Sequence, residues 1–166
     1  SRYIDGLFNE LAMDEKSKNL LRTKIARKSK TEIIDLIEKN QLDDAQKDLL
    51  MNLLDLQGNI VEVIDKSEKY FMNEEMSEAI EELKALRDFF EKEDLGQWIH
   101  FDLSMIPDLD YYDGIIFKGY YFSSSKKILS GGRYDRLTEK FGKRISAIGF
   151  SINMDEMTQL IMQEDK

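Results

Sequence analysis

LDYYDGIIFKGYYF at 109–122, KKILSGGRYDRLTEKFG at 126–142 and AIGFSINMDEM at 147–157 follow one another in the last third of the chain. Aromatic and β-branched residues dominate the first run, so 115–122 reads as a strand. Ser123-Ser124-Ser125 supplies a turn, and 126–129 reads as the returning strand. Residues 134–141 read as a short helix, with Asp135 in its first turn and Gly142 placed to end it. Residues 147–152 read as a buried strand and 154–162 as a final helix. Consecutive hairpin strands with helices to one side predict an α+β fold built on an antiparallel sheet.

Upstream the period changes. Residues 2–93 contain no proline and only Gly6 and Gly58 as glycines. Apolar residues recur at helical spacing: Leu20, Leu21 and Ile25, then Ile33, Ile34 and Ile37, then Leu49, Leu50, Leu53 and Leu54. Ile60, Val61 and Ile64 continue the pattern, and Ile80, Leu83, Leu86, Phe89 and Phe90 end it. Asp14, Ser29, Asp43 and Asn73 stand where helix N-caps belong. Five or six short helices follow, the longest over about 73–93. Near Gly96 the pattern turns to strand-like alternation over 97–103, and Pro107 holds Ile106 extended. The expected organisation is a helical segment over 1–95, an insertion, and the C-terminal part of a sheet core over 96–166. The basic block at 17–30 and the acidic block at 74–94 could pair, with each other or with a partner, or simply face solvent.

Composition narrows the function. The chain has 166 residues, a net charge of −9 and no cysteine. An acidic total is poor for coating phosphates, so no nucleic-acid partner is expected. Thiol catalysis, thiolate metal sites and disulfides are excluded. No apolar run approaches the roughly 18 residues a helical membrane span needs, and a cytoplasmic location is expected. The chain begins with Ser1 rather than Met, which suggests a fragment. No P-loop, GxGxxG, HExxH or EF-hand pattern occurs, and no metal or cofactor is expected. His100 is the only histidine, without a placed nucleophile, and reads as a packed or exposed strand residue rather than a catalytic one.

Candidate binding residues concentrate in the two aromatic–glycine runs. Strand alternation across 109–112 would turn Asp110 and Tyr112 to one face and Leu109 and Tyr111 to the other. Gly131-Gly132 would let the backbone pass close to a ligand or a neighbouring strand at a turn, with Arg133 and Tyr134 at its mouth. Asp110, Tyr112, Gly131, Gly132, Arg133 and Tyr134 together suit a flat, polar, nitrogenous group, because phenols bond ring nitrogens while their rings supply apolar wall. A tyrosine-rich sheet with a glycine bend explains the same residues without a ligand.

In order and spacing, LDYYDGIIFKGYY, SGGRYDRL and AIGFSINMDEM resemble the histidyl-tRNA synthetase family, a class II synthetase core, over about 98–160. There a strand reads roughly RGLDYYTG, then GGRYDGL, then the third class II motif, about GIGFAIGLERL. The helical half resembles that family's variable insertion, and 1–11 the segment after its second motif. The resemblance implies a histidine pocket lined by Tyr112 and Tyr134. It also implies losses. Pro107 stands where the family has an arginine that acts in amino-acid activation, and Glu156 where an arginine grips the ATP triphosphate. The implied protein is a non-catalytic, regulatory relative of the synthetases. Its implied partners are the short-form catalytic subunit of ATP phosphoribosyltransferase in histidine biosynthesis, further copies of itself, and histidine as a feedback ligand. A fragment of a true histidyl-tRNA synthetase, charging tRNA with ATP, is the alternative. A synthetase-like regulator of another pathway is a second.

Overall fold

The computed structural model describes residues 2–107, 109, 111–121, 125–143 and 145–164, without the side chains of residues 163 and 164. The chain divides into two compact units, one ending at Ile106 and the other starting at Pro107. Together they are α+β, with helices and antiparallel sheets.

The first unit is helical. It contains α1 (Arg2–Glu10), α2 (Glu15–Ala26), α3 (Lys30–Lys39), α4 (Asp44–Asn52), β1 (Gln57–Gly58), α5 (Ile60–Ser67), α6 (Glu74–Lys92) and β2 (Phe101–Asp102). The apolar stripes read from the sequence turn inward. Ile4, Leu7, Leu21, Ile25, Leu49, Leu53 and Val63 are fully buried in one cluster. Packing the stripe, rather than helix propensity, supplies most of the stability of such short helices.

The caps work as tertiary joints. Asn73 Oδ1 accepts from Met76 N at 2.9 Å, closing the first turn of α6, and its Nδ2 donates to Gly6 O at 2.9 Å. The same residue therefore caps α6 and ties α1 to it. Gly6 lies against that joint, where an added β-carbon would stand 2.7 Å from Met76 Cγ. Asp43 and Gln46 form a capping box on α4, and Gln46 Nε2 reaches Glu10 O at 2.8 Å. Asp14 accepts from Ser17 N at 2.7 Å and caps α2. Ser29 precedes α3 as expected but makes no side-chain cap bond. Burial pushes the Tyr3 phenol up, and its hydroxyl donates to Tyr70 O at 3.4 Å.

The basic block at 17–30 reaches several separate carboxylates. Arg22 lies 3.6 Å from Asp5 and stacks over the Phe8 ring, Lys24 pairs with Glu32, and Lys30 pairs with Asp55.

The strand expected over 97–103 is much shorter. Residues Gly96–Trp98 form a 3₁₀ turn, and only Phe101–Asp102 pair, antiparallel, with Gln57–Gly58. The Asp102 carboxylate explains the stop. It accepts from Ser104 N at 3.0 Å and Ser104 Oγ at 2.6 Å, folding the chain into a side-chain turn, while Lys28 Nζ bonds it at 2.6 Å. Leu103 N then donates to Leu56 O, and Leu103 is buried with the helical core. Phe101, Leu103 and Ile106 thus pack with the helical core.

The second unit holds β3 (Ile116–Tyr120), β4 (Lys127–Arg133), α7 (Asp135–Glu139), β5 (Ile148–Ile152) and α8 (Met154–Glu164). Its strands form an antiparallel sheet in the order β3-β4-β5. The return strand expected over 126–129 runs on to Arg133, so Gly131 and Gly132 sit mid-strand rather than at a turn. Both find ladder partners on each side, Gly131 with Phe117 and Phe150, Gly132 with Ile116 and Gly149. Gly142, at φ +95°, closes the turn after α7 and donates from its N–H to Glu139 O. Phe122, Ser123 and Ser124 lie outside the described residues. No described helix is long and apolar enough to cross a membrane.

Replacing Asn73 with alanine removes the α6 cap and the bridge to Gly6 together. The expected loss is about 1–2 kcal/mol of unfolding free energy in urea, against about 1 for a cap alone. A second expectation concerns acid. The Ser17 amide bond is the main cause holding the Asp14 carboxyl below its usual range. Stability from that cap is complete above the ordinary aspartate pKa and is lost as pH falls through the lower folded value. Asp14→Asn keeps a capping oxygen but no titration. Its urea midpoint should therefore fall less steeply on acidification than that of the parent protein.

Candidate ligand site

Side chains alternate across a strand, so the register assigns each residue of the second unit to a face. Ile116 and Lys118 of β3, Ser130 and Gly132 of β4, and Gly149 and Ser151 of β5 share one face. Phe117, Leu129, Gly131 and Phe150 share the other.

The first face carries the tyrosines. A β-carbon on Gly132 would stand 2.7 Å from Tyr112 Cδ1, and one on Gly149 would stand 2.9 Å from the Tyr134 hydroxyl. Gly132 and Gly149 are register partners. Two bare backbone positions side by side thus form a floor, and Tyr112 and Tyr134 lie directly on it. Tyr111 completes the group. Its ring centroid is 4.7 Å from that of Tyr112 and 5.8 Å, edge-on, from that of Tyr134.

This arrangement departs from strand alternation over 109–112. Tyr111 and Tyr112 do not point apart, because the chain turns there, with Tyr112 N reaching back to Leu109 O. The ladder restarts only beyond the turn, where Asp113 N donates to Arg133 O and Arg133 N to Ile115 O. Tyr111 was missed for that reason. Asp110 lies outside the described residues.

Two buried carboxylates hold the site's frame. Asp113, 8% exposed, accepts from the Asp135 N–H at 3.1 Å and from the Arg136 N–H. It thereby satisfies the first amides of α7 from a distant loop, and so clips the tyrosine turn to the end of β4. Asp135, 6% exposed, accepts from Ala147 N at 2.9 Å through Oδ1 and from Arg133 Nε at 2.9 Å through Oδ2. Arg133 Nη2 approaches the same oxygen at 2.7 Å. By alternation Arg133 leaves β4 on the face opposite the tyrosines. The structure therefore brings Tyr112, Tyr134 and Gly132 together and places Gly131 and Arg133 on the other side. Asp113 and Gly149 escaped the sequence reading. Asp113-Gly114 reads as an ordinary turn pair, and Gly149 acquires meaning only through its register partner.

Glu156 lies in the first turn of α8, which Asn153 caps, and accepts from Lys126 Nζ at 2.8 Å. His100 is exposed. Among the described residues no three His, Cys, Asp or Glu side chains gather as a metal site.

The family model for histidyl-tRNA synthetase matches residues 1–157. An ATP phosphoribosyltransferase regulatory subunit of Acetivibrio thermocellus is 35% identical over 164 residues, covering 99% of this chain and 39% of that protein. One from Bacillus thuringiensis is 35% identical over 162 residues, covering 96% of this chain and 38% of the relative. The chain thus spans about two-fifths of the length of the curated relatives it matches. A crystal structure from Bacillus halodurans, described as an ATP phosphoribosyltransferase regulatory subunit/histidyl-tRNA synthetase, superposes with a TM-score of 0.84 at 27% identity. It covers 95% of this chain and 41% of its own. A histidine–tRNA ligase subunit from Alicyclobacillus acidocaldarius shares the fold at a TM-score of 0.79 and 20% identity, covering 99% of this chain and 53% of its own.

Asp113→Ala should strand two amide donors at the start of α7. Each buried, unsatisfied donor costs about 1–3 kcal/mol, so a loss of about 2–4 kcal/mol is expected in urea denaturation. A loss below about 1 kcal/mol would show that the loop is not clipped through this carboxylate.

Proposed function

The chain belongs to the histidyl-tRNA synthetase family, and from that premise we propose that the protein is a non-catalytic regulatory subunit of ATP phosphoribosyltransferase. It activates the short-form catalytic subunit and helps confer feedback inhibition by histidine, as part of an assembly with that subunit and further copies of itself. The reading carries a cytoplasmic location with it. Residues 1–95 then correspond to a helical insertion in the synthetase-like core.

The observation that carries this reading is the carboxylate of Glu156. The family resemblance puts an ATP-gripping arginine at this position. Exchanging it for glutamate reverses a charge at close range, and one such contact is on the order of 4 kcal/mol at 4 Å and an effective dielectric near 20. A guanidinium's bidentate grip on phosphate is lost as well. Here the carboxylate is bonded to Lys126. Pro107, at the other arginine position, offers no charge at all. The names of the relatives from Acetivibrio and Bacillus point the same way.

In this reading the protein contributes no reacting group. It acts through differential affinity: it binds the active form of the catalytic subunit better than the inhibited form, and histidine shifts that balance. The tyrosine site is the proposed histidine seat. The imidazole is flat and polar, and phenol hydroxyls such as those of Tyr112 and Tyr134 can bond its nitrogens.

Mixing the intact protein with the short catalytic subunit should raise phosphoribosyltransferase activity, and histidine should suppress the increase. Tyr112→Phe should raise the histidine concentration needed for half-suppression by roughly fivefold, the loss of about one hydrogen bond. No activation by folded protein would overturn the regulatory reading. Histidine-dependent exchange of pyrophosphate into ATP by the protein alone would favour a true synthetase.

A further inference from the structure

The last part of α6 leaves the helical core. Its buried side chains, Met76, Ala79, Ile80 and Leu83, all precede Lys84. From Lys84 to Lys92 the helix runs on for about 13 Å. Leu86 and Phe90 still lean back toward the unit. Leu86 packs against the core, and the Phe90 ring lies 6.1 Å from that of Phe101. Phe89 instead sets its ring edge-on to Phe90, 5.6 Å away, and is 52% exposed. The chain then turns back sharply. Leu95 N donates to Phe90 O at 2.9 Å and Asp94 N to Glu91 O at 3.3 Å, with Asp94 at φ +51°. These two bonds close a helix through a left-handed residue, here an aspartate rather than the usual glycine. Trp98 N donates to Leu95 O across the 3₁₀ turn that follows. The two turns leave Leu95 exposed and Trp98 74% exposed.

Apolar residues scattered singly over a surface need no explanation. An indole, a phenyl ring and a leucine held on one hydrogen-bonded tip do, because buried aromatic anchors carry much of the energy of protein interfaces. The charge around them selects the partner. Asp88, Glu91, Glu93 and Asp94 are exposed on the same stretch, against Arg87 and Lys92. Arg87 is bonded to Asp88 at 2.8 Å, and the C-terminal end of a helix is itself negative. The basic block at 17–30 turns instead to Asp5, Glu32, Asp55 and Asp102. Such a tip repels a polyanion or an anionic bilayer. A protein surface with an apolar pocket rimmed by lysine and arginine meets both its rings and its carboxylates.

We propose that the tip of α6, with Phe89, Leu95 and Trp98, docks into a basic-rimmed apolar pocket on the catalytic subunit. The inference rests on the regulatory reading and adds the surface through which that subunit is held. Trp98 is the anchor, because it has the most ring area to bury. Glu91, Glu93 and Asp94 form the rim, which steers the approach and sets the register. The docking surface belongs to the helical unit and is independent of the tyrosine site.

The test titrates the short catalytic subunit with the intact protein and reads the concentration that gives half-maximal activation. Trp98→Ala and the double variant Glu91→Lys, Glu93→Lys are compared with the parent, and urea melts check that each remains folded. Trp98→Ala should raise that concentration about tenfold or more, the scale of a lost interface anchor. Added salt should weaken activation by the parent, and the charge-reversed variant should lose that salt dependence while binding more weakly. The difference in emission between the parent and Trp98→Phe isolates this indole. It should be that of a water-exposed indole in the protein alone and shift to the blue when the catalytic subunit is added. Parent-like activation by both folded variants would overturn the docking surface and leave the regulatory reading standing. An indole already shielded in the protein alone would also overturn it, because another segment or a second copy then covers the tip. If the folded parent neither binds nor activates the catalytic subunit, the docking surface and the regulatory reading fall together.

Discussion

The Tyr112 ring lies so close over Gly132 that a β-carbon there would stand 2.7 Å from its Cδ1 and 2.8 Å from the Ile115 carbonyl. One of those obstacles is backbone, which a rotamer change cannot relieve. The rest of the second unit is arranged around this approach. Gly149 repeats it on the neighbouring strand beneath Tyr134, and Tyr111 fills the angle between the two rings. Asp113 then anchors the loop that delivers Tyr111 and Tyr112, and Asp135 anchors β4 to the start of β5 through Arg133 and Ala147. Buried carboxylates are costly unless satisfied, and each of these meets at least two donors.

The two units rely on different physics. The helical unit closes a dry core in which many leucines and isoleucines are fully buried, and its polar residues act at the joints between helices. The sheet unit has far less apolar burial of its own. Ile148 and Phe150 of β5 are 67% and 68% exposed on the face away from the tyrosines. Its order comes from the ladder, the carboxylate clips and the glycine contacts. A unit organised in this way presents one polar, aromatic face and one apolar face.

The proposed regulatory reading combines loss of a catalytic charge with retention of the tyrosine site. A carboxylate at 156, bonded to Lys126 at the start of α8, is expected to oppose a triphosphate without disturbing the strands that carry the tyrosines. In the proposed reading the tyrosine site then serves as a sensor, provided its ligand distinguishes two states of the assembly.

Much of this was legible in the sequence because it is local. The spacing of Leu49, Leu50 and Leu53 forecasts a buried helical face, Asp14, Asp43 and Asn73 announce caps, and β-branched and aromatic runs mark β3 and β5. Those signals depend on backbone period and on bonds between residues three or four apart. The family motifs also brought Tyr112, Tyr134 and Gly132 into view. What escaped depends on contacts between residues far apart in the chain. The strand forecast over 97–103 shrank to Phe101–Asp102 once Asp102 found Ser104 and Lys28. Tyr111 joined its neighbour because a turn replaced alternation. Arg133 left the site because strand alternation turns it to the opposite face, where Asp135 bonds it. Gly149 became visible only when the register was known, and Asp113 only through its bonds to the start of α7. By itself the sequence determined the helical and extended segments and the identity of the aromatic pair. Only the tertiary structure decided which residues face each other, because cross-strand register and buried hydrogen bonds are set by partners that no local pattern encodes.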